Sequence, residues 1–183
     1  LDSAKVDAIN VGKSFLKHFS SESIAEQVNE GRFEATTDSS RISDVEAILI
    51  CVPTPLNEYR EPDLSYVLDT AESLAPHLIK GVLVTLESTT YPGTTEDKLR
   101  IVLEEGSGMK AGVDFHLAYS PEREDPGREN ASVKTIPKVV GGYTQACGDL
   151  GEALYSQAID KIHRASSCRV AEATKLLENI FRS

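Results

Sequence analysis

Hydrophobic and polar positions divide the chain into alternating elements. Ala47-Ile48-Leu49-Ile50-Cys51-Val52 is a continuous apolar run, as expected of a strand buried on both faces. Asp63 can cap a helix carrying Leu64, Val67, Leu68, Ala71, Leu74, Ala75 and Leu78 at helical spacing, with Gly81 as its terminator. Val82–Leu86 predicts the next strand. Thr94 or Thr95 is the expected cap of a helix through Leu99, Ile101, Val102 and Leu103. Phe115–Tyr119 and Lys138–Val140 read as strands, with a helix around Cys147–Tyr155, a short strand around Lys161–Arg164 and a last helix from Ser166 or Ser167. Strands alternating with helices of this length predict an α/β fold with parallel strands and right-handed crossovers.

The polar residues cluster where apolar runs end. Val52-Pro53-Thr54-Pro55, Glu87-Ser88-Thr89-Thr90-Tyr91-Pro92-Gly93-Thr94-Thr95 and Ser120-Pro121-Glu122-Arg123 each follow a predicted strand. In an open α/β sheet, ligands bind at the carboxyl ends of the strands, so these segments predict walls of one site. Each also has a plainer reading. Thr54 between two prolines is either a presented hydroxyl or an ordinary turn. The Thr94 helix start is either an anion seat or a routine cap with Asp97. Glu122-Arg123-Glu124-Asp125 is either a general base beside a cation or a solvated loop.

In the last helix, Lys175, Asn179 and Arg182 fall within about 60° of one another at 100° per residue. Val170, Ala173, Leu176, Leu177 and Ile180 take the other side. The polar stripe can hold an oxyanion, or simply face water while the apolar side packs.

Charge and composition narrow the classes. The chain has 183 residues, 40% hydrophobic and 26% charged, with a net charge of −10, which argues against a nucleic-acid footprint. No apolar run suits a membrane span, and no signal peptide opens the chain. Cys51, Cys147 and Cys168 show no metal-ligand spacing, and a reduced, cytoplasmic setting is expected. Cys51, inside its apolar run, reads as an inert buried thiol. No histidine is positioned by sequence to activate Cys147 or Cys168, no metal site is expected, and Gly141-Gly142 reads as a turn pair. The chain starts without Met and stops within a helical pattern, so an internal fragment is expected.

Val52-Pro53-Thr54-Pro55, Glu87–Thr94, Ser120-Pro121-Glu122-Arg123 and Lys175-Leu176-Leu177-Glu178-Asn179, in this order and at these spacings, resemble the UDP-glucose/GDP-mannose dehydrogenase family along the whole chain. Arg60-Glu61-Pro62-Asp63, with the Glu87–Thr95 stretch and Ser120–Gly127, looks most like the UDP-N-acetylglucosamine 6-dehydrogenase branch.

The resemblance implies a Rossmann-like parallel sheet with flanking helices, truncated at both ends. Residues 1–165 would be a partial NAD-binding domain and 166–183 the start of an inter-domain helix. NAD is the implied cofactor, and a UDP-sugar, oxidised at C6 to the uronate through a cysteine thioester, the implied substrate. Lys175 and Asn179 would stabilise oxyanions. Glu122 would act as acid and base in thioester hydrolysis, and Thr90 would contact cofactor and catalytic water. Thr54 and Lys5 would contact NAD, the latter at the adenosine ribose. Arg123, Glu124 and Arg182, with Lys175 and Asn179, would line the substrate site. The Gly-rich loop, its ribose-binding acidic residue and the nucleophilic cysteine would lie outside this chain, leaving exposed strand edges, poor NAD binding and no activity in the chain alone. The resemblance also implies a homodimer or higher oligomer and a place in polysaccharide biosynthesis. A hydroxyacid or 6-phosphogluconate-type dehydrogenase and a non-catalytic α/β binding module remain as alternatives.

Overall fold

A computed structural model describes residues 2–15, 19–56, 58, 61–122 and 136–182, the last without its side chain. The chain forms two compact units, Leu1–Ser40 and Arg41–Ser183. The first holds α1 (Ser3–Asn10) and α2 (Ser21–Asn29). Asp2 caps α1 by accepting from the backbone of Ala4 and Lys5, and Ser20 caps α2 through Ser23. The Asn10 side chain bonds both backbone groups of Ala35 at 2.9 Å, which pins the end of α1 to the segment after α2.

The second unit is a five-stranded sheet with helices. Its strands are β1 (Ala47–Ile50), β2 (Leu83–Leu86), β3 (His116–Tyr119), β4 (Lys138–Gly142) and β5 (Ile162–Ala165), paired in that order. β2 is buried throughout, and Val84 and Leu86 pack with Leu117, Tyr119, Val67, Ala71, Leu99 and Leu103 in one core. Burial of each such aliphatic side chain contributes about 1.5–3 kcal/mol. β1 is less enclosed than its apolar run predicts. Leu49 is 45% exposed and Cys51, just past the strand, is exposed, because among the described residues β1 has a strand on one side only.

The α3 helix (Ser65–Leu74) begins two residues after Asp63, whose carboxylate accepts from the backbone of Ser65 at 2.9 Å. It stops earlier than Gly81 because Pro76 cannot continue an α-helix, and a 3₁₀ turn, Ala75–His77, follows. A π-type turn, Thr95–Leu99, runs into α4 (Arg100–Ser107). α5 (Gln145–Tyr155) crosses from β4 to β5, and α6 (Cys168–Arg182) closes the unit. No helix among the described residues is long and apolar enough to cross a membrane.

Two sequence expectations change here. The β1–β2, β2–β3 and β4–β5 pairings are parallel, but β4 runs antiparallel to β3, with Ala118 opposite Gly142. Hydrophobic pattern carries no strand direction. Gly141 and Gly142 are not a turn; they lie in buried β4. A Cβ on Gly141 would meet the Ser167 carbonyl oxygen at 2.2 Å, and one on Gly142 the Gly148 nitrogen at 2.1 Å. These glycines admit α6 and α5 close to the sheet, which sets the depth of everything α6 carries.

Candidate active site

The registers Ile50–Leu86 and Leu86–Tyr119 place the carboxyl ends of β1, β2 and β3 along one edge. The polar segments that follow these strands therefore meet, and side chain to backbone bonds join them. The Ser88 hydroxyl accepts from the backbone N–H of Val52 at 3.0 Å and donates to its carbonyl at 2.7 Å. Thr54 donates its hydroxyl to the carbonyl of Thr89 at 2.7 Å. Tyr119 donates to the carbonyl of Ser88 at 3.3 Å. The Thr90 hydroxyl, buried at this edge, makes no hydrogen bond of good geometry among the described residues, although the Tyr119 phenol lies near it. A buried polar atom without a well-formed hydrogen bond is uncommon enough to need an explanation.

Glu87, the first residue past β2, anchors this edge. Tyr155 donates to one of its carboxylate oxygens at 2.5 Å, and the Lys138 ammonium lies 3.3 Å from the other. That ammonium also stands over the Tyr155 ring, 4.7 Å from its centre. All three residues are buried. Burial, and then the Glu87 charge, push the Tyr155 phenol far above its ordinary range, so it remains a proton donor. The backbone of Glu87 in turn accepts from the N–H of Glu122 at 3.4 Å. The Ser120 hydroxyl donates to the Val139 carbonyl at 2.9 Å, fastening the same segment to β4.

α6 starts as expected, with the Ser167 hydroxyl accepting from Val170 at 3.2 Å. Its packing reverses the amphipathic reading. The side facing the protein carries Cys168, Ala171, Glu172 and Lys175, whereas Leu177 and Ile180 are 56% and 67% exposed. Lys175, only 8% exposed, donates to the backbone carbonyl of Glu122 at 2.5 Å. Two predicted catalytic residues, 53 positions apart, are thus in direct contact.

Glu172 changes the reading of the helix that begins near Thr94. Its carboxylate accepts from the backbone N–H of Gly93 at 2.6 Å, the backbone N–H of Thr95 at 2.9 Å and the Thr95 hydroxyl at 2.7 Å. The anion seat exists, but the protein fills it with its own carboxylate. Thr94 holds the cap position but makes no capping bond: its hydroxyl donates to the Tyr91 carbonyl at 2.8 Å. Burial raises the Glu172 carboxyl, and the bonds from Thr95 and Gly93 oppose that rise. Hydrogen bonds to a charged group contribute about 1.5–3 kcal/mol each, which offsets part of the several kcal/mol of burying an ion, and the carboxyl stays raised. Gly93 has φ of +98°, and a Cβ there would stand 2.8 Å from Asp97. Arg169 pairs with Glu96 at 2.9 Å and Asp97 at 2.6 Å, a further tie between α6 and this turn.

The other expected site residues divide. Asn179 is exposed on the same side of α6 as Lys175, a turn further on. Lys5 is in α1 of the first unit, 3.6 Å from Asp2 and over the ring of Phe15. Arg123, Glu124 and the side chain of Arg182 lie outside the described residues, as does Arg60. Cys51 is exposed rather than buried, yet desolvation of its thiol and the Glu87 charge push it up to about 11. It is therefore a weak nucleophile, as expected, with the Glu87 charge adding to desolvation. The structure does bring a histidine to Cys147: His116 Nδ1 lies 3.7 Å from its sulfur, with the Thr144 hydroxyl at 3.1 Å. Cys147 is fully buried, as a structural thiol is. No three His, Cys, Asp or Glu side chains among the described residues converge as metal ligands.

Sequence reasoning missed Glu172, and it left Glu87 and Ser88 without roles. One signal for Glu172 was present: it is three residues before Lys175, on the same side of the helix. The roles of Glu87 and Ser88 depend on partners far along the chain and had no local signal.

Known proteins resemble this chain in sequence and in fold. The chain is 43% identical over 135 residues to the UDP-N-acetyl-D-glucosamine 6-dehydrogenase of Pseudomonas aeruginosa, covering 73% of this chain and 32% of that protein. It is 35% identical over 183 residues to the UDP-N-acetyl-D-mannosamine dehydrogenase of Escherichia coli K12, covering 97% and 43%. The solved UDP-D-ManNAc dehydrogenase of Pyrococcus horikoshii superposes with a TM-score of 0.91 at 33% identity, covering 98% of this chain and 43% of that one. The chain thus spans 32–43% of the length of these relatives. Residues 1–159 match the model for the NAD binding domain of one family, and the chain belongs to that family, the UDP-glucose/GDP-mannose dehydrogenases.

Proposed function

We propose that the whole protein is an NAD-dependent nucleotide-sugar 6-dehydrogenase that oxidises the C6 alcohol of UDP-N-acetylglucosamine to the uronate through a cysteine thioester. The observation that carries this reading is the buried Lys175 ammonium held 2.5 Å from the Glu122 carbonyl, at the edge where the strand ends meet. The 43% identity to a UDP-N-acetyl-D-glucosamine 6-dehydrogenase favours that sugar. NAD fits the residues present, because the buried Thr90 hydroxyl has a hydrogen bond left to make at the carboxyl edge of the sheet. Bound NAD supplies the hydride acceptor for each two-electron step.

The cysteine that forms the thioester belongs to the whole protein outside this chain, and the residues of this chain act around it. Lys175 stabilises the alkoxide and the later oxyanions, with the Asn179 amide assisting. A cation already in place when charge develops acts on the transition state. Glu122 moves the proton in thioester hydrolysis. Thr90 contacts cofactor and catalytic water. Thr54, whose hydrogen is engaged by Thr89, offers the cofactor its oxygen as an acceptor. Lys5 contacts the adenosine ribose, and Arg123, Glu124 and Arg182 line the substrate site. The protein works in the cytoplasm as a homo-oligomer.

The test is turnover of the whole protein with NAD and UDP-N-acetylglucosamine, and UDP-N-acetylmannosamine in parallel. About two NADH per sugar are expected, as a four-electron oxidation needs. One NADH per sugar, or no oxidation of either sugar, overturns the proposal; preference for the mannosamine sugar corrects the substrate.

A further inference from the structure

Glu172, Lys175 and Asn179 lie within about 60° of one another around α6. Glu172 is fully buried, and both of its carboxylate oxygens are engaged by the turn at Gly93–Thr95, 77 to 79 residues away. Arg169, one turn earlier, pairs instead with Glu96 and Asp97. A carboxylate gripped at both oxygens fixes how its helix is rotated and how far it has slid. An α-helix is stiff over a single turn, so Lys175 follows Glu172. The gripped turn also continues directly from Thr90, whose buried hydroxyl makes no hydrogen bond of good geometry among the described residues.

We propose that Glu172 is a positioning residue, which sets where the Lys175 ammonium stands against the Glu122 carbonyl. It touches neither substrate nor cofactor; its effect on turnover rests on the part given above to Lys175. A glutamine at this position keeps the volume but carries only one acceptor oxygen. Three donors then compete for it, and the amide NH₂ meets an N–H it cannot bond. The helix loses its grip while the core keeps its shape.

The experiment uses the whole protein with Glu172→Gln and, as a milder variant, Thr95→Val, which removes only the hydroxyl donor. Lysines are acylated briefly under native conditions and read peptide by peptide by mass spectrometry. Lys80, with 79% of its side chain exposed, reports the reagent, and buried Lys138 reports general loosening. Labelling of Lys175 is expected to rise about tenfold in Glu172→Gln and less in Thr95→Val, with Lys138 still protected. With NAD and UDP-N-acetylglucosamine, kcat should fall on the order of 10- to 100-fold while KM stays within about threefold, the signature of a transition-state effect.

Unchanged Lys175 labelling overturns the proposal whatever the activity. So does parallel exposure of Lys138, or a rise in KM with kcat intact. If Glu172→Gln does not fold, Thr95→Val decides by the same criteria. If the wild-type protein oxidises no UDP-sugar, the proposed reaction fails, but the labelling still tests the link from Glu172 to Lys175.

Discussion

The ammonium of Lys175 lies 2.5 Å from the backbone carbonyl oxygen of Glu122, joining the middle of α6 to the loop that leaves β3. The contact draws a cation into a buried place at the carboxyl edge of the sheet, where a charge acts more strongly than it does in water. Lys175→Ala in the whole protein is expected to reduce kcat about 100- to 1,000-fold, the usual loss for one oxyanion donor. UDP-sugar affinity by calorimetry should stay within a few-fold. A large loss of affinity with saturated turnover intact would reassign Lys175 to substrate binding.

Glu122→Gln separates the two halves of the proposed reaction. The amide keeps the size and removes proton transfer, which typically contributes about 100- to 10,000-fold. Rapid mixing should show a burst of NADH, then a slow phase, with a sugar adduct on the protein by intact mass. Absence of both burst and adduct would put Glu122 before the thioester, or in a purely structural role.

Tyr155→Phe removes the phenol that donates to Glu87 and leaves that buried carboxylate with Lys138. Loss of a hydrogen bond to a charged group is expected to cost about 1.5–3 kcal/mol. Thermal unfolding monitored calorimetrically should show a lower midpoint. An unchanged midpoint would mean that Lys138 alone holds Glu87 in place.

Glu104 provides a pH test. Its carboxylate accepts from the Ala111 backbone at 3.1 Å and from Arg100 at 2.8 Å, with Lys110 at 3.4 Å. Burial pushes its carboxyl up, but these partners outweigh burial and lower it. The folded value lies below the unfolded one, so the stabilisation is complete above about pH 4.3 and is lost as pH falls through the folded value. Glu104→Gln should destabilise at neutral pH by less than about 1 kcal/mol, since solvent screens the outer charges. Urea midpoints of variant and wild type should converge in acid. A constant gap down to low pH would show that the effect is not electrostatic.

Gly141→Ala tests how closely α6 sits on the sheet. The added methyl would stand 2.2 Å from the Ser167 carbonyl oxygen, a backbone atom that cannot swing aside. Overpacking typically costs about 1–3 kcal/mol, and here α6 itself must shift. A lower denaturation midpoint together with reduced turnover is expected, because Lys175 moves with the helix. A stable variant with full activity would show that α6 has slack.

The local determinants of this protein were legible in its sequence. Helical spacing gave α3 and α5, a serine gave the start of α6, and the polar segments 52–55, 87–95 and 120–123 marked the strand ends. Lys175 and Glu122 are candidates for chemistry in the sequence, each beside a plainer reading, and their roles follow from the family resemblance. These features depend on near neighbours, and period and capping are properties of a few consecutive residues. Tertiary structure decided the rest. It turned β4 against β3, because an apolar run packs equally well in either direction. It buried the side of α6 that bears Glu172 and Lys175 and left Leu177 and Ile180 exposed, because backbone groups distant in sequence satisfy those charges, an N–H donating to Glu172 and a carbonyl accepting from Lys175. It also placed the Glu172 carboxylate where a threonine cap or a bound anion was expected. A hydrogen bond between residues 79 positions apart leaves no periodicity in a sequence; it exists only once the chain has folded.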